Sequence, residues 1–359
     1  MELLGPEHYL SIIVNNTSIL DVRAEIEFQA GHIPHSTCIP ILNNEERALV
    51  GTRYKQQGQA AAIALGEQLV SDQVRIQRLA RWGHFFHSNP TGLITCFRGG
   101  LRSKTAQQWL LESGIHCPRL IGGYKAFRRF LIEQLEILSR NSMLTVISGP
   151  TGSGKTQLLR SLQAYRAVID LEGIANHRGS VFGNLGTQPQ QTMFENNLSY
   201  TWVQMAQTHS SHYLIEDESR MIGRCYQPEA LFNKLRASNI ILIQEALEFR
   251  IENIYQDYIQ NQCSEILFDR YYFALQKISR RLGGLRYSEI RTDLEFAHKQ
   301  WQLGFGAEAN KIWIEKLLKY YYDPLYQQSL QRRQPKILFQ GSRSDIFEFL
   351  KTQADQHKH

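Results

Sequence analysis

The chain has 359 residues, 42% hydrophobic and 21% charged, with a formal net charge of +6, a balance that excludes a disordered chain and suits a polyanionic partner such as RNA. No apolar run approaches membrane-spanning length, and the N-terminus MELLGPEHYL lacks the basic-then-apolar pattern of a secretory signal, so the expected location is the cytoplasm with no membrane partner. Five scattered cysteines without a C-x-x-C pair argue against a disulfide framework and a structural zinc site.

Two or three domains fit this length, and three segments are expected: 1–138, 139–260 and 261–359. In the first, Ser18-Ile19-Leu20-Asp21-Val22-Arg23 reads as a short strand. Glu25-Ile26-Glu27-Phe28 is a helical turn, Gly31-His32-Ile33-Pro34 a turn, and Thr37-Cys38-Ile39-Pro40 a second strand. The strand Leu93–Thr95 and the stretch Leu120-Ile121-Gly122-Gly123-Tyr124 complete a β/α rhythm, which predicts a small parallel sheet with helices on both faces. Between them, Gly51-Thr52-Arg53-Tyr54-Lys55 opens a run ending in Ala60–Gly66; Arg53 and Lys55 are anion contacts or simply a solvated helix start.

The strand ending at Thr95 runs into Cys96-Phe97-Arg98-Gly99-Gly100-Leu101-Arg102-Ser103 and then a helical pattern. Loop N–H groups and a helix N-terminus favour an anion, and Arg98 and Arg102 add fixed charge, so Cys96 is expected to be a reactive thiolate. The competing reading is a buried, inert cysteine at a strand end.

The second segment opens with the buried-strand signal Met143–Ser148. Gly149-Pro150-Thr151-Gly152-Ser153-Gly154-Lys155-Thr156 and a helix follow. This is G-x-x-x-x-G-K-T in the strand–helix context a P-loop needs: Gly149, Gly152 and Gly154 let N–H groups wrap a diphosphate, Lys155 neutralises it, and Thr156 is placed to hold Mg²⁺. A strand Ala167–Asp170 leads into Leu171-Glu172-Gly173 and the polar loop Asn176-His177-Arg178-Gly179-Ser180. The strand Tyr213–Ile215 ends in Glu216-Asp217-Glu218, and Ile240–Ile243 is a further buried strand. Asp170, Glu172, His177, Glu216, Asp217 and Glu218 are therefore candidates for metal or acid–base work, with spacing alone not choosing among them. No [NT]-K-x-D guanine signature accompanies the P-loop, and any diphosphate fits it.

In the third segment apolar residues recur at helical spacing: Ile266, Phe273, Leu275 and Ile278, then Ile312, Ile314, Leu317 and Leu318. A helical extension with few strands is expected. Arg280, Arg281 and Arg286 form a basic turn, and Lys316, Lys319, Tyr320–Tyr322 and Arg332-Arg333 mix charge with aromatics, as RNA contacts or as an ordinary solvated face. The tail 355–359 reads as a frayed end.

Asp21-Val22-Arg23, Glu27-Phe28, Gly31-His32-Ile33-Pro34, the Cys96 loop and Gly122-Gly123 together resemble a rhodanese domain. That implies a cysteine carrying a chalcogen as a persulfide or selenium analogue. The C-x5-R spacing from Cys96 to Arg102 departs from the shorter sulfurtransferase loop and resembles phosphatases on the same scaffold, so a phosphate-like donor and a dual-specificity phosphatase both enter. Joined to the P-loop, to Gly51–Lys55, Asp170-Leu171-Glu172-Gly173, Asn176–Ser180, Glu218-Ser219-Arg220-Met221-Ile222-Gly223 and Arg281-Leu282-Gly283-Gly284, the whole chain resembles the bacterial tRNA 2-selenouridine synthase family. The resemblance implies an α/β enzyme acting on wobble 2-thiouridine of lysine, glutamate and glutamine tRNAs. Geranyl diphosphate would S-geranylate the base, and selenium from selenophosphate would then replace the geranylated sulfur. Cys96 would carry selenium, Arg98, Gly99, Gly100 and Arg102 would grip selenophosphate, and the P-loop would hold geranyl diphosphate, with Mg²⁺ through Thr156 and no tightly bound cofactor. Two other classes stay open: an ATP-dependent RNA sulfurtransferase and a non-catalytic RNA-binding module with vestigial sites.

Overall fold

The computed structural model describes residues 1–177, 187–208, 211–260 and 262–356. Arg178, Gly179 and Ser180 of the polar loop, and the tail 357–359, lie outside the described residues. Two compact units divide the chain: 1–138 with 190–208, and 139–189 with 209–359.

The first unit is built on five parallel strands, β1 (Leu3–Leu4), β2 (Ile19–Asp21), β3 (Ser36–Cys38), β4 (Leu93–Thr95) and β5 (Arg119–Leu120), in the order β1-β5-β4-β2-β3. Successive side chains of a strand point to opposite faces. Ile19 and Leu93 accordingly pack with Tyr9, Ile13 and Phe127, while Leu20 and Ile94 pack with Trp82, Phe85 and Leu110. One sheet thus supports two cores, each roofed by helices, as the β/α rhythm predicts. The helix Gln191–Thr208 belongs to this unit: Tyr200 and Val203 fill the first core, and the Ser199 hydroxyl donates to the Leu131 carbonyl at 2.6 Å. Nothing in its sequence separates it from the P-loop region in which it is embedded.

The Asp21-Val22-Arg23 motif is structural. Both charged side chains are buried, with Arg23 donating to Asp21 at 2.7–3.0 Å and to the Gly31 carbonyl at 2.8 Å, and lying over the Tyr124 ring at 4.2 Å. It ties the end of β2 to the turn after helix Glu25–Ala30. Removing one partner of a buried pair leaves an uncompensated charge. Asp21→Asn is therefore expected to destabilise this unit by about 3–5 kcal/mol, read as a lowered thermal midpoint; an unchanged midpoint would contradict the assignment.

The second unit holds a second parallel sheet of β6 (Met143–Ser148), β7 (Val168–Ile169), β8 (His212–Glu216), β11 (Asn239–Ile243) and β12 (Ile337–Gly341), in the order β12-β11-β6-β8-β7. A two-stranded antiparallel piece, β9 (Met221–Ile222) with β10 (Cys225–Tyr226), lies apart from it. The helical C-terminal region is present, yet its strand β12 pairs with β11, and helix Arg343–Gln356 packs Ile346 and Leu350 onto the same sheet core as Leu158 and Ile241. The remaining helices make their own core, including Leu275, Ile278, Ile314, Leu317 and Leu318. Ile266, Phe273 and Ile312 keep the helical spacing but face solvent. Among the described residues no helix is long and apolar enough to cross a membrane.

Candidate functional sites: a strand-end cysteine and a P-loop chamber

Cys96 follows β4 and is buried, its Sγ 3.2 Å from the hydroxyl of Ser103 in helix Leu101–Glu112. The loop folds against the Gly122-Gly123 turn: the N–H groups of Tyr124 and Lys125 donate to the carbonyls of Cys96 and Phe97, each at 2.9 Å. Gly99 and Gly123 have φ of +62° and +58°, and a Cβ at either would collide with the backbone of the other's segment. The glycine pair that reads as a strand end is thus the clamp that shapes the cysteine loop. Gly100 caps the helix, its carbonyl accepting from Lys104 at 3.0 Å.

The two expected oxyanion arginines differ. Arg98 is exposed beside the Phe97 ring, free to reach a ligand at the loop. Arg102 is already engaged, donating to both oxygens of Glu27 at 2.6 and 3.2 Å. Burial pushes the Glu27 carboxyl up, but hydrogen bonding and charge from Arg102, with the Ala24 N–H and Arg47, hold it below the ordinary carboxylate range. An anion reaching Arg102 would have to compete with Glu27.

In the second unit the P-loop joins β6 to helix Lys155–Leu162. Gly152 and Gly154 sit at φ of +83° and +78°, the turn that only glycine makes without strain. Lys155 Nζ donates to the Gly149 carbonyl at 2.9 Å, and Thr156 Oγ1 to Glu172 at 2.8 Å. Two residues absent from the sequence reading brace the loop from helix Leu247–Tyr255. Arg250 donates to the Thr151 carbonyl and Asn253 to the Gly152 carbonyl, both at 2.9 Å, and Arg250 is paired in turn with Asp323.

The strand-end acids separate by role. Asp170 caps helix Leu171–Ala175, accepting from the Gly173 N–H at 2.7 Å. Glu172 takes the Thr156 hydroxyl, and its carbonyl accepts from the His177 N–H at 3.0 Å. Asp217 is tied to the Ser148 hydroxyl and to Arg333 at 2.8 Å. Glu216 is buried. Its Oε2 accepts from the Glu172 N–H at 3.2 Å, and its Oε1 has no hydrogen-bond partner among the described residues. Burial, then the charges of Glu172, Glu218 and Asp170, push its carboxyl well up. Burial and Glu172 likewise push Glu218 up to about 8, against the pull of Lys155.

Glu172, Asp217 and Glu218, but neither Asp170 nor Glu216, line a cavity of about 340 Å³ together with the P-loop. Its apolar lining is Ile259, Trp313, Ile314, Leu317 and Leu318, with tyrosines beside them. Most of that apolar lining comes from the helical core, so part of the cavity is supplied by the segment 261–359, read from sequence as a helical, basic extension. A helical apolar spacing was the only sequence signal for it, and that spacing cannot distinguish a filled core from a lined chamber.

The basic candidates also divide. Arg280, Arg281 and Arg286 are exposed, Arg286 lying 5.0 Å from the Tyr320 ring. Lys316 is paired with Glu289 and Asp293, Lys319 with Glu315, and Tyr321 is buried. Arg333, whose side chain is only 3% exposed, is locked to Asp217 and to backbone carbonyls of 235–238. Of this second group Tyr321 and Arg333 are part of the packing, while Lys316 and Lys319 are held in surface ion pairs.

A family model described as "tRNA 2-selenouridine synthase AAA domain" matches residues 142–357, and one described as "Rhodanese-like domain" matches residues 7–130. The chain is 43% identical to the tRNA 2-selenouridine synthase of Nitrosomonas europaea, with 97% of this chain and 98% of that one covered. It is 44% identical to that of Nitrosomonas eutropha (99% and 98% covered) and 44% identical to that of Bdellovibrio bacteriovorus (97% and 98%). With a strand-end cysteine in one unit, a P-loop chamber in the other and relatives matched end to end, the chain belongs to the tRNA 2-selenouridine synthase family.

Proposed function

We propose that this protein converts wobble 2-thiouridine of tRNA to 2-selenouridine in two steps, S-geranylation by geranyl diphosphate and replacement of the geranylated sulfur by selenium from selenophosphate. The observation that carries this reading is the cavity. The P-loop and the apolar residues line one cavity, and a volume of about 340 Å³ lies at the lower end of small-molecule sites. A diphosphate with a hydrocarbon tail matches the polar and the apolar lining at once. In this reading Lys155 and the loop N–H groups stabilise the departing diphosphate, while Trp313, Ile314 and Leu317 exclude water from the allylic carbon.

Mg²⁺ suits the residues around Thr156. The Thr156 hydroxyl, Glu172 and the unpartnered buried oxygen of Glu216 are oxygen donors of the hard type that ion takes. When bound, it would neutralise charge on the leaving diphosphate.

In the first unit Cys96 holds selenium, with Arg98, Gly99, Gly100 and Arg102 receiving the selenophosphate oxyanion. Selenide, released as water takes the phosphoryl group to phosphate, displaces a small thiol from a mixed disulfide at Cys96 and leaves a selanylsulfide. S-geranylation makes the base sulfur a good leaving group: the terminal selenium forms a bond to C2, the C2–S bond breaks and geranylthiol departs, and the small thiol then re-forms the mixed disulfide with Cys96 and frees the selenouridine. Arg280, Arg281 and Arg286 are proposed tRNA contacts, and the lysine, glutamate and glutamine acceptors are the proposed substrates.

The direct test supplies the purified chain with 2-thiouridine tRNA, geranyl diphosphate and selenophosphate, followed by nucleoside mass spectrometry. S-geranyl-2-thiouridine and 2-selenouridine are both expected without added ATP; product formed only with ATP would favour the sulfurtransferase alternative. The chamber has its own test. Leu317→Ala enlarges the apolar part, and the ratio of farnesyl to geranyl transfer is expected to rise about tenfold. An unchanged ratio places the prenyl chain elsewhere.

A further inference from the structure

Helix Asn44–Leu69 of the first unit carries features that its own packing does not require. Residues 47–66 contain Arg47, Arg53 and Lys55 and no acidic residue. The stretch 54–60 is exposed throughout, and Tyr54 is 57% exposed. Gly58, at φ +82°, breaks the helix. Gly51 is different: it lies in the helix interior, and a Cβ there would meet nothing within 4 Å. An interior glycine weakens a helix. Here no turn and no neighbouring atom of the chain accounts for it.

Helix geometry sorts these residues. Arg47, Gly51, Tyr54 and Lys55 follow i, i+4, i+7, i+8 and share one face. Arg53 points about 120° away from Arg47 by the same geometry. It is half-buried and donates to Gln57 at 3.1 Å. The acids of the first turn do not oppose the face: Glu46 is bound to Arg78 and to the Asn43 N–H, and Glu45 projects from the opposite side. The face begins at the cysteine site. Arg47 Nε lies 3.8 Å from the Glu27 carboxylate, which holds Arg102 at 2.6 Å, and the next residue, Ser103, is 3.2 Å from Cys96 Sγ. The Asn44 side chain accepts the Ile26 N–H at 2.9 Å, fixing the helix start to the same segment.

We propose that the face formed by Arg47, Gly51, Tyr54 and Lys55 is a docking surface for the RNA strand that brings the target uridine to Cys96. It rests on the selenium-carrier reading of Cys96 only for its purpose. The recognition stands on charge and shape: two cations for phosphates, an exposed ring for a base to stack on, and a glycine where a backbone can approach the helix closely.

The test measures binding of the full chain to a fluorescent anticodon stem–loop RNA by anisotropy across a salt series. Tyr54→Ala is expected to weaken binding about tenfold. Lys55→Ala should weaken it and reduce the slope of log affinity against log salt by about 0.7. Gly51→Leu should melt at or above the wild-type temperature, because leucine favours the helix, yet bind about tenfold more weakly. Arg53→Ala is the control from the other flank and should stay within about twofold. Wild-type affinity in either Tyr54→Ala or Gly51→Leu overturns the proposal, as does a loss at Arg53→Ala equal to that at Lys55→Ala. Cys96→Ala separates this failure from that of the carrier reading. It should bind the RNA normally, whatever it does to selenium transfer.

Discussion

Cys96→Ala is expected to abolish 2-selenouridine formation, a loss of about a thousandfold or more, while geranyl transfer continues at the wild-type rate. Cells carrying this variant should accumulate S-geranyl-2-thiouridine, detected in tRNA digests by mass spectrometry. The reasoning is local. The thiol lies at the end of β4, shaped by the Gly99 and Gly123 backbones and contacted by the Ser103 hydroxyl. Alanine removes the sulfur and leaves those contacts of the loop backbone in place, so the fold is retained and the effect is chemical. Selenouridine made by Cys96→Ala at the wild-type rate would remove the carrier role altogether.

Lys155→Ala gives the reciprocal result. Geranyl transfer should fall by about 10²–10³-fold, the scale on which one preorganised charge-stabilising group contributes. Selenium transfer to tRNA geranylated beforehand should be untouched. Lys155 donates to the Gly149 carbonyl, and its position between that carbonyl and the cavity is where a diphosphate would take it up. Lys155→Arg is not expected to rescue, since a planar guanidinium cannot occupy the compact ammonium position within the loop. Undiminished geranylation in Lys155→Ala would sink the assignment of the P-loop to geranyl diphosphate. Together the two variants ask whether each half-reaction belongs to its own unit.

Much of this was legible in the residues. The P-loop reads from spacing because only glycines reach φ near +80° at 152 and 154, and the strand before it is a plain buried run. The Cys96 loop reads for the same reason. What escaped sequence reading is what acts through long-range contact. Arg333 looks like an RNA-facing cation until Asp217 is seen opposite it. Arg250 and Asn253 brace the P-loop from about a hundred residues away, with nothing local to mark them. Arg102 reads as an anion ligand, and its engagement with Glu27 depends on helix Glu25–Ala30 folding back onto the cysteine loop. The strand β12 was hidden because a short apolar run beside helical sequence does not announce its pairing partner; β11 supplies it.

The order of strands bears on synthesis. β12 is the edge neighbour of β11, yet nearly a hundred residues separate them in the chain, and helix Gln191–Thr208 reaches the first unit only after the P-loop strand has been made. On the ribosome the first unit therefore waits for Tyr200 and Val203 to finish its core. The edge of β11 stays bare until residue 341 has left the exit tunnel. A bare parallel edge is where misassembly starts. The nascent chain is consequently most dependent on chaperones between those two points, and ribosome-stalled intermediates should be more protease-sensitive there than the released protein.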